Sequence, residues 1–212
     1  SVEEALNYNA NTFMIYTGGA QSTARSSIND EFTYEAFKVM LENNINPKNV
    51  IVHAPYIVNL ANKSDERKYD FYIDFMANEL NRVKELGLDK IVLHPGSATT
   101  CSREEAILNI VNGINKIYEK TSDVMILLEY MSGKGNEVGT SILELKNIID
   151  KIDDKDRIGV CLDTCHMNDS GIDISKFNEF LDEFDLMIGI DKIKCVHVND
   201  SMNTIGSHKD RH

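Results

Sequence analysis

The stretch IVLHPG, residues 91–96, runs a short apolar segment into a histidine, a proline and a glycine. An apolar run of this length, closed by turn residues, reads as a buried strand. Proline has no amide hydrogen for a central ladder, so the strand must stop near His94. His94 therefore lies at the strand's carboxyl end. The same design stands earlier in IVHAPY, residues 51–56, where Pro55 follows His53 by two positions. Three more apolar runs end in polar residues: MILLEY (125–130) in Glu129, CLDTCH (161–166) in Asp163 and His166, and CVHVND (195–200) in His197. KDRH (209–212) adds Asp210 and His212. Steps of 41, 35, 34 and 34 residues separate His53, His94, Glu129, Asp163 and His197. That is close to one strand-plus-helix unit, so residues far apart in the chain are expected to meet at one end of a sheet.

The rest of the chain fits this alternation. Strands are expected at about 11–16, 49–53, 90–94, 124–129, 157–163 and 193–197, and amphipathic helices at about 31–43, 65–86, 102–120, 141–151 and 175–187. Ser102 with Glu105, and Ser141 with Glu144, carry the capping-box signal of a helix start, and Leu86-Gly87 carries a stop. Near-continuous apolar strands alternating with helices imply a parallel sheet covered on both faces. The expected fold is α/β, a TIM (β/α)8-type barrel. A closed barrel takes about 250 residues, and 212 residues supply about six of its eight units. Residues 1–9 read as the tail of a helix whose strand is absent. The chain is thus expected to be a single barrel domain, 1–212, a segment of a longer chain without its first strand and last unit.

Composition narrows the function. Hydrophobic residues make up 42% and charged residues 26%, as in an ordinary globular protein. No apolar stretch approaches the roughly 20 residues of a membrane span, so no membrane partner is expected. Cys101, Cys161, Cys165 and Cys195 lack zinc-knuckle spacing and read as reduced, buried thiols of a cytoplasmic protein. The net charge of −12 argues at first against a nucleic-acid partner. Bound divalent cations would offset it locally.

Eight residues of metal-ligand type at one face exceed the needs of a single zinc ion: His53, His94, Glu129, Asp163, His166, His197, Asp210 and His212. Imidazole and carboxylate donors suit zinc, with manganese or iron as substitutes. Glu129 after MILL would be expensive to bury unless something cationic met it.

The segments HAPYIVNLAN, LHPGS, LLEY, GVCLDTCHMNDSG, HVNDS and GSHKDRH resemble, in order and spacing, the signature segments of the endonuclease IV family of abasic-site DNA repair enzymes. The resemblance implies a TIM barrel with three zinc ions that cuts DNA on the 5′ side of an abasic site. It implies one ion on His53, His94 and Glu129, a second on Glu129, Asp163 and His197, and a third on His166, Asp210 and His212. Glu129 would be catalytic through bridging the first two. The products implied are a 3′-hydroxyl and a 5′-deoxyribose phosphate. The implied partner is double-stranded DNA containing abasic sites, with no obligatory protein partner. Tyr56 and Ile57 match positions that the family inserts into the duplex, Gln21 matches a polar DNA-penetrating position, and Arg25 is a candidate phosphate contact. The competing reading is a sugar isomerase or epimerase on a related barrel, which would have no use for His166, Asp210 and His212 as a set.

Overall fold

The computed structural model describes residues 1–212. Six strands form one parallel sheet in chain order: β1 (Met14–Ile15), β2 (Ile51–His53), β3 (Lys90–Leu93), β4 (Met125–Glu129), β5 (Ile158–Asp163) and β6 (Ile193–His197). Helices α1 (Val2–Asn7), α2 (Asp30–Glu42), α3 (Glu66–Glu85), α4 (Arg103–Glu119), α5 (Ile142–Ile149), α6 (Thr164–Ser170) and α7 (Phe177–Met187) lie between or beside them. The fold is a partial TIM barrel. In a flat sheet β2 and β6, four strands apart, would stand about 19 Å from each other. The rings of His53 and His197 at their ends are 5.9 Å apart, so the sheet curls round on itself.

Side-chain alternation divides the strands between two environments. Val52, Ile91, Leu93, Ile126, Leu128, Val160 and Leu162 face the helices and join the main core with α3 and α4 residues such as Met76, Leu80, Ile110 and Ile114. Ile51, Val92, Leu127 and Cys161 form a smaller cluster on the other side, with Met125 and Cys195 packed against it. That second cluster is the barrel interior. Each fully buried aliphatic side chain contributes about 1.5–3 kcal/mol, so the helix-facing layer carries most of the stability.

The expected helices all form, within a few residues of their limits. Ser102 and Ser141 accept the amides of Glu105 and Glu144, each at 3.2 Å, as N-caps. The Glu144 carboxylate turns to the Gly139 and Thr140 amides rather than back to Ser141. Gly87 takes φ +71° after α3, a conformation in which a side chain is strained. Helix α6 was not expected. Thr164–Ser170 lacks apolar periodicity, but Asp163 caps it by accepting the His166 amide at 3.0 Å. The four cysteines are free thiols. No helix is long and apolar enough to cross a membrane.

Candidate metal centre

The alternation that builds the barrel interior also places the donors. Two residues beyond Ile51 comes His53, beyond Val92 His94, beyond Leu127 Glu129, beyond Cys161 Asp163 and beyond Cys195 His197. A period of two keeps each on the interior side, one layer above an apolar floor. Register adds to the convergence: Asp163 pairs with His197 across β5 and β6. The turn after β3 needs its glycine. Gly96 has φ +121°, and a Cβ there would lie 2.9 Å from the Ala61 amide nitrogen.

Glu129 is the hub, buried to 1% exposure. Its Oε2 lies 3.1 Å from His53 Nε2 and 3.0 Å from His94 Nε2. Its Oε1 lies 3.1 Å from His197 Nδ1 and 3.5 Å from His166 Nδ1. His197 Nδ1 is also 3.7 Å from Asp163 Oδ2. Burial pushes the Glu129 carboxyl up, but the rings of His197, His53 and His94 hold it well below the usual carboxylate range. Asp163 divides its oxygens: Oδ1 caps α6, while Oδ2 accepts from Asn199 Nδ2 at 2.6 Å. On the far side, His166 Nε2 is 3.2 Å from Asp210 Oδ1, and His212 Nδ1 is 3.8 Å from the same oxygen. Cys165 also has its sulfur within 4.8 Å of donor atoms of Asp210 and His212.

The hydrogen bonds of the rings test whether a cation fits. His53 Nδ1 is 2.6 Å from the Ala54 carbonyl, and His166 Nδ1 is 3.0 Å from the Tyr130 carbonyl. A carbonyl only accepts, so each Nδ1 carries the proton and donates. In the neutral ring Nε2 is then a bare lone pair, and in both residues it faces a carboxylate oxygen. Two acceptors at such distances need a cation or a second proton between them. Orientation by backbone carbonyls is what metal-ligating histidines commonly receive. His197 Nε2, buried, has no hydrogen-bond partner. The donor set fits divalent metal.

The site opens into a cavity of about 860 Å³ that Tyr56, Lys134 and Arg211 help to line. Tyr56 stands at its mouth, 48% exposed, with its ring 5.3 Å from His53 and 5.2 Å from His94. Ile57 beside it is half-buried, and Gln21 is exposed, one residue beyond Ala20, whose carbonyl accepts the Tyr56 amide at 2.9 Å. Arg25 does not stand with them. Its guanidinium turns inward to Glu79, with Nε to Oε1 at 2.7 Å and Nη2 to Oε2 at 3.0 Å, over the Phe75 ring. Glu79 is 0% exposed, and Arg25 is its close cationic partner, with Arg82 Nε more distant at 3.9 Å from Oε1. Arg25, the candidate phosphate contact, is thus paired with a carboxylate 54 residues on, in α3.

Several residues at the site escaped the sequence reading. Tyr16, following β1, hydrogen-bonds the Tyr56 hydroxyl, and its phenol is raised by burial and by that bond. Asn199 orients Asp163, and Thr164 accepts the Asn199 amide at 2.8 Å. HVNDS contained the Asn199 signal, two residues past a ligand-type histidine. Nothing in the sequence singled out Tyr16.

Residues 2–212 match the family model described as the xylose isomerase-like TIM barrel. The chain is 44% identical over its whole length to a probable endonuclease 4 of Mycoplasma mycoides subsp. mycoides, of which it covers 73%. It is 48% identical to the probable endonuclease 4 of Acholeplasma laidlawii, again over all of this chain and 73% of the relative. The crystal structure of endonuclease IV from Thermus thermophilus superposes on all of this chain, and on 74% of its own, with a TM-score of 0.81 at 28% identity. The chain belongs to the endonuclease IV family. Membership makes it a phosphodiester-hydrolysing endonuclease of a DNA-repair family. A D-tagatose 3-epimerase-like protein shares the fold, with a TM-score of 0.70 at 22% identity.

Proposed function

We propose that this family member cuts double-stranded DNA on the 5′ side of abasic sites, using three divalent ions, zinc before manganese. The observation that carries the reading is that His53 and His166 each commit Nδ1 to a backbone carbonyl and aim Nε2 at a carboxylate oxygen, at 3.1 and 3.2 Å, where either a second proton or a cation must stand. His53, His94 and Glu129 would hold one ion, Glu129, Asp163 and His197 a second, and His166, Asp210 and His212 a third. Such ions, when bound, make water acidic enough to ionise near neutral pH and offset phosphate charge.

The protein's own residues prepare the site. Glu129 is held as a carboxylate by the surrounding rings, so it can serve two donor sets at once. The Ala54 and Tyr130 carbonyls fix the tautomers of His53 and His166. Tyr56 and Ile57 would wedge into the duplex at the lesion, with Gln21 following them. Hydrolysis forms a bond from water oxygen to phosphorus and breaks the bond from phosphorus to the 3′ oxygen, which takes a proton. The products are a 3′-hydroxyl and a 5′-deoxyribose phosphate. A sugar epimerase would leave the His166, Asp210 and His212 set without a task.

The test is elemental analysis of the purified protein together with cleavage of a duplex carrying one tetrahydrofuran site. Three zinc ions per chain and incision 5′ to the lesion are expected. One or two ions without incision would favour the epimerase reading.

A further inference from the structure

Asp169 belongs to none of the donor sets. It lies three residues past His166 in α6 and is 0% exposed. A carboxylate buried this far must have its lone pairs met. Four donors meet them. Ser201 Oγ at 2.7 Å and Asn168 Nδ2 at 3.0 Å donate to Oδ1, while Asn203 Nδ2 at 2.9 Å and the Asp210 amide at 2.8 Å donate to Oδ2. Three of these donors come from the segment after β6, which has neither helix nor strand. The same turn of α6 collects that segment by its backbone as well. The His208 amide donates to the Asp169 carbonyl at 3.0 Å, and the Gly206 amide to the Asn168 carbonyl at 2.9 Å.

The bond to Asp210 is the one that reaches the metal centre. Asp210 has φ +57°, a left-handed conformation that aspartate tolerates better than most residues with a side chain. With its amide on Asp169, its carboxylate is presented to His166 Nε2 at 3.2 Å and to His212 Nδ1 at 3.8 Å. We propose that Asp169 is the positioning residue of the third donor set. Holding the Asp210 amide fixes Asp210 and His212 beside His166, and losing that hold dismantles this set while leaving the two built on Glu129. The metal half of the inference rests on the three-ion reading above. The placement of Asp210 does not.

Asp169→Asn is the informative variant, because it keeps the shape. An amide offers one accepting oxygen, so its NH2 must face either the Ser201 and Asn168 donors or the Asn203 and Asp210 donors. Asp169→Ala extends the test, and Ser201→Ala removes one donor to Oδ1 without touching the Asp210 amide. Zinc per chain is measured by elemental analysis after dialysis, and hydrogen exchange of the Asp210 amide is followed in chelator-treated protein. Asp169→Ala, which offers the Asp210 amide no acceptor, is expected to lose one of the three zinc ions, with exchange at Asp210 faster by roughly tenfold or more, and Asp169→Asn does the same where its NH2 faces Asp210. Ser201→Ala should keep its zinc. Wild-type zinc content with unchanged Asp210 exchange in Asp169→Ala would overturn the proposal. So would loss of all three ions, which would make Asp169 a general stability residue. If the wild-type protein held fewer than three ions, the functional reading would fall, and Asp210 exchange would still decide the role of Asp169.

Discussion

At Glu129 one carboxylate stands among the ring nitrogens of four histidines, all within 3.5 Å. Its place follows from two facts of the sequence: MILLE is a strand, and its inward positions are 125, 127 and 129. Glu129→Gln keeps the volume and removes the charge, and it turns an NH2 toward ring nitrogens in place of one oxygen. Replacing groups that merely orient ligands costs about 10–100-fold in metal affinity or activity, so replacing the shared ligand is expected to cost about 100-fold or more in incision. Zinc content should fall with it, and a variant that kept both would remove Glu129 from the centre. Tyr56 is the opposite kind of residue, exposed and touching donors only through its ring faces. Tyr56→Ala should leave the zinc count unchanged and weaken binding to an abasic duplex by about 1–3 kcal/mol, the worth of one base–aromatic stack. Fluorescence anisotropy on duplexes with and without the lesion reads this directly, and equal affinity before and after substitution would end its role as a wedge.

Among the elements, the loop at 17–25 is pinned to α3 at both ends. Thr17 Oγ1 donates to Glu79 Oε2 at 2.6 Å, and Arg25 binds both oxygens of the same carboxylate. Breaking a buried pair by removing one partner costs about 3–5 kcal/mol. Arg25→Ala should therefore lower the melting temperature clearly, while the salt dependence of DNA binding keeps its slope. A shallower slope at unchanged stability would restore the phosphate-contact reading. This loop also marks where the sequence stops being legible. Periodicity exposed the strands, the long helices and, through the inward positions, the donor row, because those rules are local. The Arg25–Glu79 pair is an agreement between residues 54 positions apart, and no local pattern announces it. Helix α6 was missed for a related reason. DTCHMNDS lacks an apolar stripe because it turns directly off a strand end: Met167 joins the main core, while His166 and Asp169 serve the centre and the anchor.

For the whole molecule, charge is the governing quantity, and it depends on what the centre holds. In the metal-free protein His166 is raised to about 9 and His197 to about 10. Burial pushes both down, but Asp210, Glu129 and Asp163 around the first, and Cys195 and Glu129 beside the second, more than reverse it. A histidine whose folded pKa exceeds the unfolded value of about 6.5 lends its stability in full below that value and loses it as pH rises through the folded one. The melting temperature of metal-free protein should therefore fall between about pH 6.5 and 10. Zinc-loaded protein, whose rings are held neutral by the ions, should not show this fall. Calorimetry across that window on chelated and loaded samples decides it, and parallel curves would argue that these rings are not ligands. The same ions bear on DNA. A chain of net charge −12 repels a phosphate backbone, and three divalent cations would halve that charge at the cavity where the duplex must dock. Duplex binding is accordingly expected only in loaded protein. With Arg25 turned inward, Lys134 and Arg211 are the basic side chains that line the cavity. Proteins with six to ten phosphate contacts lose about 10³–10⁵ in affinity between 50 and 200 mM salt, and the loss here should be under about 10³. A steeper dependence, measured on the abasic duplex with zinc held constant, would mean that basic side chains beyond this cavity carry much of the binding.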